Sequence, residues 1–268
     1  MPLGKGIPNL GNTCYINSIL QCLRYTKDLV YMLKPHDTES DTTLVQSCIE
    51  LLYADAPNKY LYSLVKELGK TPEFKVMRQC DAHELFLYLI DMIFTEIKFK
   101  NPFEGSMKST ITCTKCKHKS ITKYPYITVS VQIPSTGTHR IEELMEEFSR
   151  EEVMDDIECE KCQKKQRSFK KLEIIPAQVV VIHLKRFQGN RKIHSPVAFS
   201  EELNIAGSKY YLYATCNHSG DTYGGHYTAA CMKLDGSWYI CNDQNIDELS
   251  NIPKQSDRPH MFFYSKRN

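Results

Sequence analysis

The sequence predicts an α+β fold, and three observations carry that reading. Up to about residue 97, apolar residues recur at helical spacing. Beyond a break at Asn101-Pro-Phe-Glu-Gly105 they alternate with polar residues, or run together, as strands do. The later strands are joined by short turns, so their sheet is expected to be antiparallel. The 268 residues suffice for one large domain or two modest ones.

The first element follows Gly6-Ile-Pro-Asn-Leu-Gly-Asn-Thr-Cys14. Behind Cys14, Ile16, Ile19, Leu20 and Leu23 mark a helix with one buried face. Asn12 or Thr13 is its expected N-cap, which places Cys14 in the first turn. There the helix dipole and unpaired N–H groups are expected to favour a thiolate and to offer donors to an oxyanion. Asn9 can swing its amide toward the same spot. Taken alone, Cys14 is still one of 11 cysteines, and most cysteines are small buried hydrophobes.

Residues 24–75 read as helical. Val45 to Tyr53 and Leu61 to Leu68 carry the spacing, punctuated by Pro35, Pro57 and Pro72. Gln79 to Ile97 is the strongest helix, with Ala82, Leu85, Phe86, Leu89, Ile90, Ile93, Phe94 and Ile97 on one face. Asp81 and Glu84 share a face near its start, where acids complement the dipole. Ile121 to Ile133 reads as a strand, Pro134-Ser-Thr-Gly137 as a loop, and Ile141 to Phe148 as a short helix with an acidic outer face.

Cys113-Thr-Lys-Cys116 and Cys159-Glu-Lys-Cys162 each set two thiolates on one tight turn. Two such turns make a tetrahedral Cys₄ site suited to Zn²⁺. All four positions are filled, so the expected site is structural. The long interval between the pairs fits a strand-rich extension clipped at its far end.

From Lys171 onward strands dominate. Gln178 to Phe187 begins as a β-branched run and reads as a central strand buried on both faces. His183 lies inside it and reads as a structural residue. Further strands run over residues 209–217, 226–234, 237–241 and 260–264, with Asp235-Gly236 as a hairpin turn.

Composition narrows the function. The hydrophobic fraction of 41% and charged fraction of 25% are those of an ordinary globular protein. A net charge of +2 argues against bulk electrostatic binding of nucleic acid. No apolar run reaches membrane-spanning length, and the start lacks a signal peptide's apolar segment, so an intracellular location (cytoplasm, nucleus or both) is expected.

Among 9 histidines, His226 stands out by its setting. It follows the glycine-bearing loop Asp221-Thr-Tyr-Gly-Gly225 and opens a strand, where an imidazole is both reachable and held. The 235–236 hairpin returns the chain to Asn242-Asp243, and either residue can hold the imidazole in its reactive tautomer. A two-residue turn favours Asp243. One added residue, or a bulge, favours Asn242.

Together these residues resemble the ubiquitin-specific protease family of papain-like cysteine deubiquitinases. Gly6 to Leu23 is similar to the family's cysteine box, G-x-x-N-x-G-N-T-C-Y-x-N-S-x-L-Q-x-L. Gly224-Gly-His-Tyr227 and Asn242-Asp243 are similar to its histidine box. Gln79 to Leu85 resembles its Q-Q-D-A-x-E-F block, with Cys80 and Leu85 as departures, and Leu184-Lys-Arg-Phe187 is a further signature.

The resemblance implies a right-hand architecture: a helical thumb over 1–105, zinc-bearing fingers over 106–175 and a β-sheet palm over 176–268. It implies hydrolysis of the bond after ubiquitin's C-terminal glycine, with Cys14 as nucleophile, His226 as base and Asn242 or Asp243 behind it. Asn9 matches the family's oxyanion residue. Asp81 and Glu84 match positions that meet ubiquitin's basic tail, which displaces the plainer dipole reading of the two acids, and Gln79 of the same block is a further expected substrate-binding residue. Gly224 and Gly225 would leave room for a Gly-Gly tail. The implied partners are ubiquitin and ubiquitinated proteins, with targeting left to a partner protein or to local concentration. Three other readings stand beside this one: a non-catalytic ubiquitin binder of the same fold, a zinc-ribbon nucleic-acid module drawn from the lysines around the cysteine pairs, and specificity for a ubiquitin-like modifier.

Overall fold

The computed structural model describes residues 5–33, 43–53, 58–75 and 78–266. The start, Met1 to Gly4, and the punctuating Pro35 and Pro57 lie outside these residues. The helices are Cys14–Arg24 (α1), Lys27–Met32 (α2), Thr43–Leu51 (α3), Asn58–Leu68 (α4), Ala82–Glu96 (α5) and Ile141–Ser149 (α6). The strands run Gly105–Cys113 (β1), Lys119–Tyr126 (β2), Thr128–Gln132 (β3), His139–Arg140 (β4), Glu152–Cys159 (β5), Lys164–Ile175 (β6) and Val179–Lys185 (β7). They continue with Phe187–Gln188 (β8), Arg191–Lys192 (β9), Val197–Ala198 (β10), Glu202–Ile205 (β11), Ser208–Gly220 (β12) and Gly225–Met232 (β13). The last are Trp238–Asn242 (β14), Asn245–Leu249 (β15), Gln255–Ser256 (β16) and Pro259–Lys266 (β17).

Two sheets dominate. The larger is ordered β15-β14-β13-β12-β17-β7-β3, with β11 added beside β12. The smaller, β2-β1-β6-β5, is antiparallel throughout and carries the cysteine pairs at its far end. The expected antiparallel rule fails at one edge: β3 pairs with β7 in parallel. The expected single strand over 121–133 is also two strands. Its first half, β2, belongs to the small sheet, and its second half, β3, joins the large one. The stretch 106–175 is therefore not one unit, because β3 and α6 pack on the large sheet.

Strand β7 is buried on both faces. Val179 and Val181 face a core shared with α1, α3, α4 and α5, while Val180, Ile182 and Leu184 face one shared with α6. Alternation along a strand splits one run of β-branched residues between two cores. All eleven residues of α1 are buried, so the helix behind Cys14 lies wedged between α5 and the sheet. Phe86 of α5 meets Phe103 and Phe263 edge-on, at 5.3 and 5.6 Å between centroids. Such pairs add roughly 0.5–1.5 kcal/mol each beyond their burial. Arg186 is fully buried and donates to three carbonyls, Pro259 O at 2.6 Å, Ile193 O at 2.9 Å and Ser195 O at 3.0 Å. It ties the segment after β7 to β17.

Candidate active site

Gly11 and Asn12 have φ of 96° and 54°, and this left-handed pair turns the chain into α1. Thr13 is the N-cap residue, but its hydroxyl points back and accepts from Leu10 N at 2.9 Å. The Thr13 side chain therefore makes no cap bond to the first turn of α1. The backbone N–H groups of Tyr227, Tyr15 and Cys14 favour a charged sulfur at Cys14. They lower its pKa, yet burial outweighs them and Asp243 adds to the rise, so the thiol stands above its usual range. This burial opposes the thiolate that the helix start is expected to favour.

A pH dependence follows. Alkylation of Cys14 by iodoacetamide, read by peptide mass spectrometry, should be slow at pH 7. It should climb about tenfold per pH unit toward the thiol's raised pKa, because only the thiolate reacts. A fast rate that is flat from pH 6 to 8 would mean an ion pair already formed.

His226 lies at the start of β13, and its Nε2 is 2.7 Å from Asn242 Oδ1. The hairpin loop explains why Asn242 faces it. Lys233 N donates to Ser237 O at 2.9 Å, so the loop holds three residues, with Gly236 at φ 89°. Ala229 then pairs with Cys241, which sets Asn242 across from Thr228 on the face of His226. Among the described residues Cys14 and His226 share no hydrogen bond. With Nε2 on Asn242, Nδ1 is the nitrogen left for the sulfur.

Asp243 joins the two halves of the site. Its Oδ1 accepts from Asn17 Nδ2 at 2.8 Å, its Oδ2 from Asn9 Nδ2 at 2.9 Å, and its carbonyl from Ile7 N at 2.9 Å. Its Oδ2 also lies 3.9 Å from His226 Nε2. Gly6 packs so closely on this turn that a Cβ would sit 2.0 Å from Gln244 O. Asn9 Oδ1 accepts from Gly11 N at 3.0 Å and Thr13 N at 3.2 Å. One Nδ2 hydrogen goes to Asp243, and the second remains for a ligand.

The residues expected to bind substrate divide. The Gln79 amide clasps the Gly225 backbone: its Nε2 donates to Gly225 O, and Gly225 N donates to its Oε1 at 2.9 Å. It thus holds the strand start that carries His226. Gly225 does not leave room for a tail on its side-chain side, where a Cβ would lie 2.2 Å from His218 Nε2. Gly224 faces open space. Glu84 is exposed, its carboxyl raised by partial burial and by Asp81 and Glu73. Asp81 is the N-cap of α5, accepting from His83 N at 2.7 Å and from His260 Nε2 at 2.8 Å, both on Oδ1. Burial pushes the Asp81 carboxyl up, but the hydrogen bond and charge of His260 outweigh it and hold it below the usual range.

Around Asp81 the structure gathers a group that sequence reasoning missed. His83 stacks on His183 with centroids 3.7 Å apart, and His260 meets His183 edge-on at 4.8 Å. Burial first, then neighbouring cations, pushes His83 down to about 4 and His183 to about 2. Two of these histidines interrupt otherwise apolar buried strands, which was the only signal available. A cavity of about 360 Å³ opens beside them, lined by Asp81, Gln132, His183, Lys185, Phe187 and Gln188.

The four cysteines converge. Their sulfurs lie within 4.8 Å of one another, with Cys113 and Cys162 at 3.9 Å and Cys116 and Cys159 at 3.5 Å. Sulfurs at 2.3 Å from a tetrahedral ion stand about 3.8 Å apart, so the donor set and spacing fit a metal.

A cysteine at a helix start, and a histidine bonded to an asparagine on the strand packed against that helix, are the parts of a Cys-His-Asn hydrolase site. The family model for ubiquitin carboxyl-terminal hydrolase matches residues 5–264. The chain belongs to the ubiquitin carboxyl-terminal hydrolase family. It is 30% identical to human ubiquitin carboxyl-terminal hydrolase 2 over 332 residues, covering 97% of this chain and 54% of that protein. It is 30% identical to Arabidopsis thaliana ubiquitin carboxyl-terminal hydrolase 25 over 317 residues, covering 98% of this chain and 47% of that protein. The chain thus spans about half the length of these relatives. Its fold is similar to a structure of the SAGA Ubp8/Sgf11/Sus1/Sgf73 DUB module bound to ubiquitin aldehyde, at TM-score 0.86 and 24% identity, covering 98% of this chain and 70% of that one. No described helix is long and apolar enough to cross a membrane.

Proposed function

We propose that this chain is a deubiquitinase that hydrolyses the bond after the C-terminal glycine of ubiquitin. One observation carries the reading: His226, held by Asn242 at 2.7 Å, opens the strand β13 that packs on α1, the helix Cys14 begins. Family membership supplies the substrate class.

In this mechanism substrate binding brings the Cys14 sulfur to His226 Nδ1, and the imidazole takes the thiol proton. The thiolate attacks the terminal glycine carbonyl of ubiquitin. The second Asn9 hydrogen and the Cys14 N–H hold the oxyanion. His226 protonates the departing lysine amine and then draws a proton from the water that hydrolyses the thioester. Asn242 keeps the ring in its tautomer, and Asp243 keeps the Asn9 loop and the histidine strand in register. Glu84 and the cavity-facing side of Asp81 receive the basic tail, while Gln79 acts on the strand start instead. Zn²⁺ on Cys113, Cys116, Cys159 and Cys162 would be structural, closing the end of the small sheet.

Incubation with ubiquitin bearing a C-terminal electrophile tests the reading. The expected product is one covalent adduct on Cys14, located by tryptic mapping. No adduct, or one on another cysteine, overturns it. Parallel probes built on ubiquitin-like modifiers decide which modifier the site takes.

A further inference from the structure

We propose that Asp81, His183 and His260 form a binding site for one divalent transition-metal ion of the zinc class, distinct from the four-cysteine cluster. A carboxylate oxygen of Asp81 and one ring nitrogen from each histidine lie within 4.8 Å of one another. Two imidazoles and a carboxylate are a donor set that such ions take, with a fourth position open.

Each ligand stands on a rigid element. Asp81 is fixed as the N-cap of α5. His183 sits in β7, where Ser130 Oγ lies 3.0 Å from its Nδ1, orienting the ring and leaving Nε2 for an ion. His260 is the extra residue of a bulge in β17. Met261 pairs with Cys216 and Pro259 with Asn217, so one residue of β17 has no opposite number. A bulge redirects a side chain, and here it brings the buried His260 ring against His183 although their strands pair at Met261 and His183.

The route in is the cavity that Asp81 and His183 line. Among the described residues Asp81 Oδ2 takes no hydrogen bond, so it is the oxygen left to the cavity. Ligand atoms on one ion at about 2.1 Å stand no more than about 4.2 Å apart, so the set must close slightly. The His260–Asp81 hydrogen bond must open slightly as the ion replaces its proton. That proton passes to His260 Nδ1, which is buried without a hydrogen-bond partner. Lys185 lines the same cavity and opposes a cation, while the stacked His83 lies behind His183. An ion here would tie α5 to the large sheet and occupy the carboxylate that the proposed function gives to a basic tail. That consequence rests on the proposed function; the binding does not.

The test is calorimetric titration with Zn²⁺ of Cys14→Ala protein that retains its four-cysteine metal, without ubiquitin. The variant removes the nucleophile as a competing ligand. One further equivalent is expected to bind. His260→Phe should weaken it at least about tenfold, and Lys185→Glu, a change at an exposed position, should tighten it several-fold. Absence of a further equivalent at about 100 µM Zn²⁺ overturns the proposal, as does its retention in folded His260→Phe protein. If His260→Phe does not fold, Lys185→Glu decides: tighter binding supports the site and unchanged binding overturns it.

Discussion

Replacing Cys14 with alanine is expected to lower kcat on a ubiquitin conjugate by at least about ten-thousand-fold while leaving ubiquitin affinity within a few-fold. Removing the nucleophile of a nucleophile–base pair leaves only binding and oxyanion stabilisation, and rate losses of that order follow. The fold should survive, because the change removes one sulfur from a core that α1 fills with eleven buried residues. His226 and Asn242 would keep their 2.7 Å bond, since neither depends on the thiol. Steady-state hydrolysis and equilibrium binding, measured on the same preparation, separate the outcomes. Substantial residual turnover would remove Cys14 from the chemistry. Lost binding with a normal melting profile would make it a substrate contact.

The second large effect concerns the small sheet. Its strands β1 and β6 are long, but much of β2 and β5 is exposed, so little apolar burial holds their outer ends. The four sulfurs gather at that end, where Cys113 closes β1 and Cys159 closes β5. A structural zinc site of this type supplies on the order of 10 kcal/mol of local folding free energy. Wild-type protein is expected to hold at least one zinc per chain by elemental analysis. Cys113→Ser, or stripping with a strong chelator, should raise amide exchange in β1, β2, β5 and β6 by roughly tenfold or more. Exchange in β7 and β17, in the doubly packed core, should stay unchanged. A metal content far below one, or exchange indifferent to its removal, would make the four cysteines ordinary reduced thiols.

How legible the molecule was depends on the range of the interaction. Helix α5, strand β7 and the helix behind Cys14 were legible because a continuous run of side chains must be buried on one or two faces. The helix start at Cys14, the strand start at His226 and the convergence of the four cysteines were legible because short motifs carry them. What hangs on a single backbone residue was not. Asn242 rather than Asp243 faces His226 because the 234–236 loop holds three residues, a difference that composition does not reveal. His260 reaches Asp81 through a bulge, and nothing local in Pro259-His260-Met261 announces one. Gly225 has its tight neighbour in His218, a residue met only across the sheet. The burial of the Cys14 thiol was hidden for a related reason. A helix start is visible in sequence, whereas the burial that outweighs it comes from the whole fold.

The Asn9–Asp243 bond spans 234 residues of chain. Loops of that size close slowly, because the entropy of the intervening chain must be spent before any contact rewards it. The nucleophile's loop and the base's strand therefore have no defined relation in a partly folded chain, or in one still emerging from the ribosome. Asp243 follows β14, so its contacts with Asn9 and Asn17 depend on the pairing of β12, β13 and β14 in the large sheet. On the proposed function, Cys14 and His226 are held in one site only where this long-range contact is made.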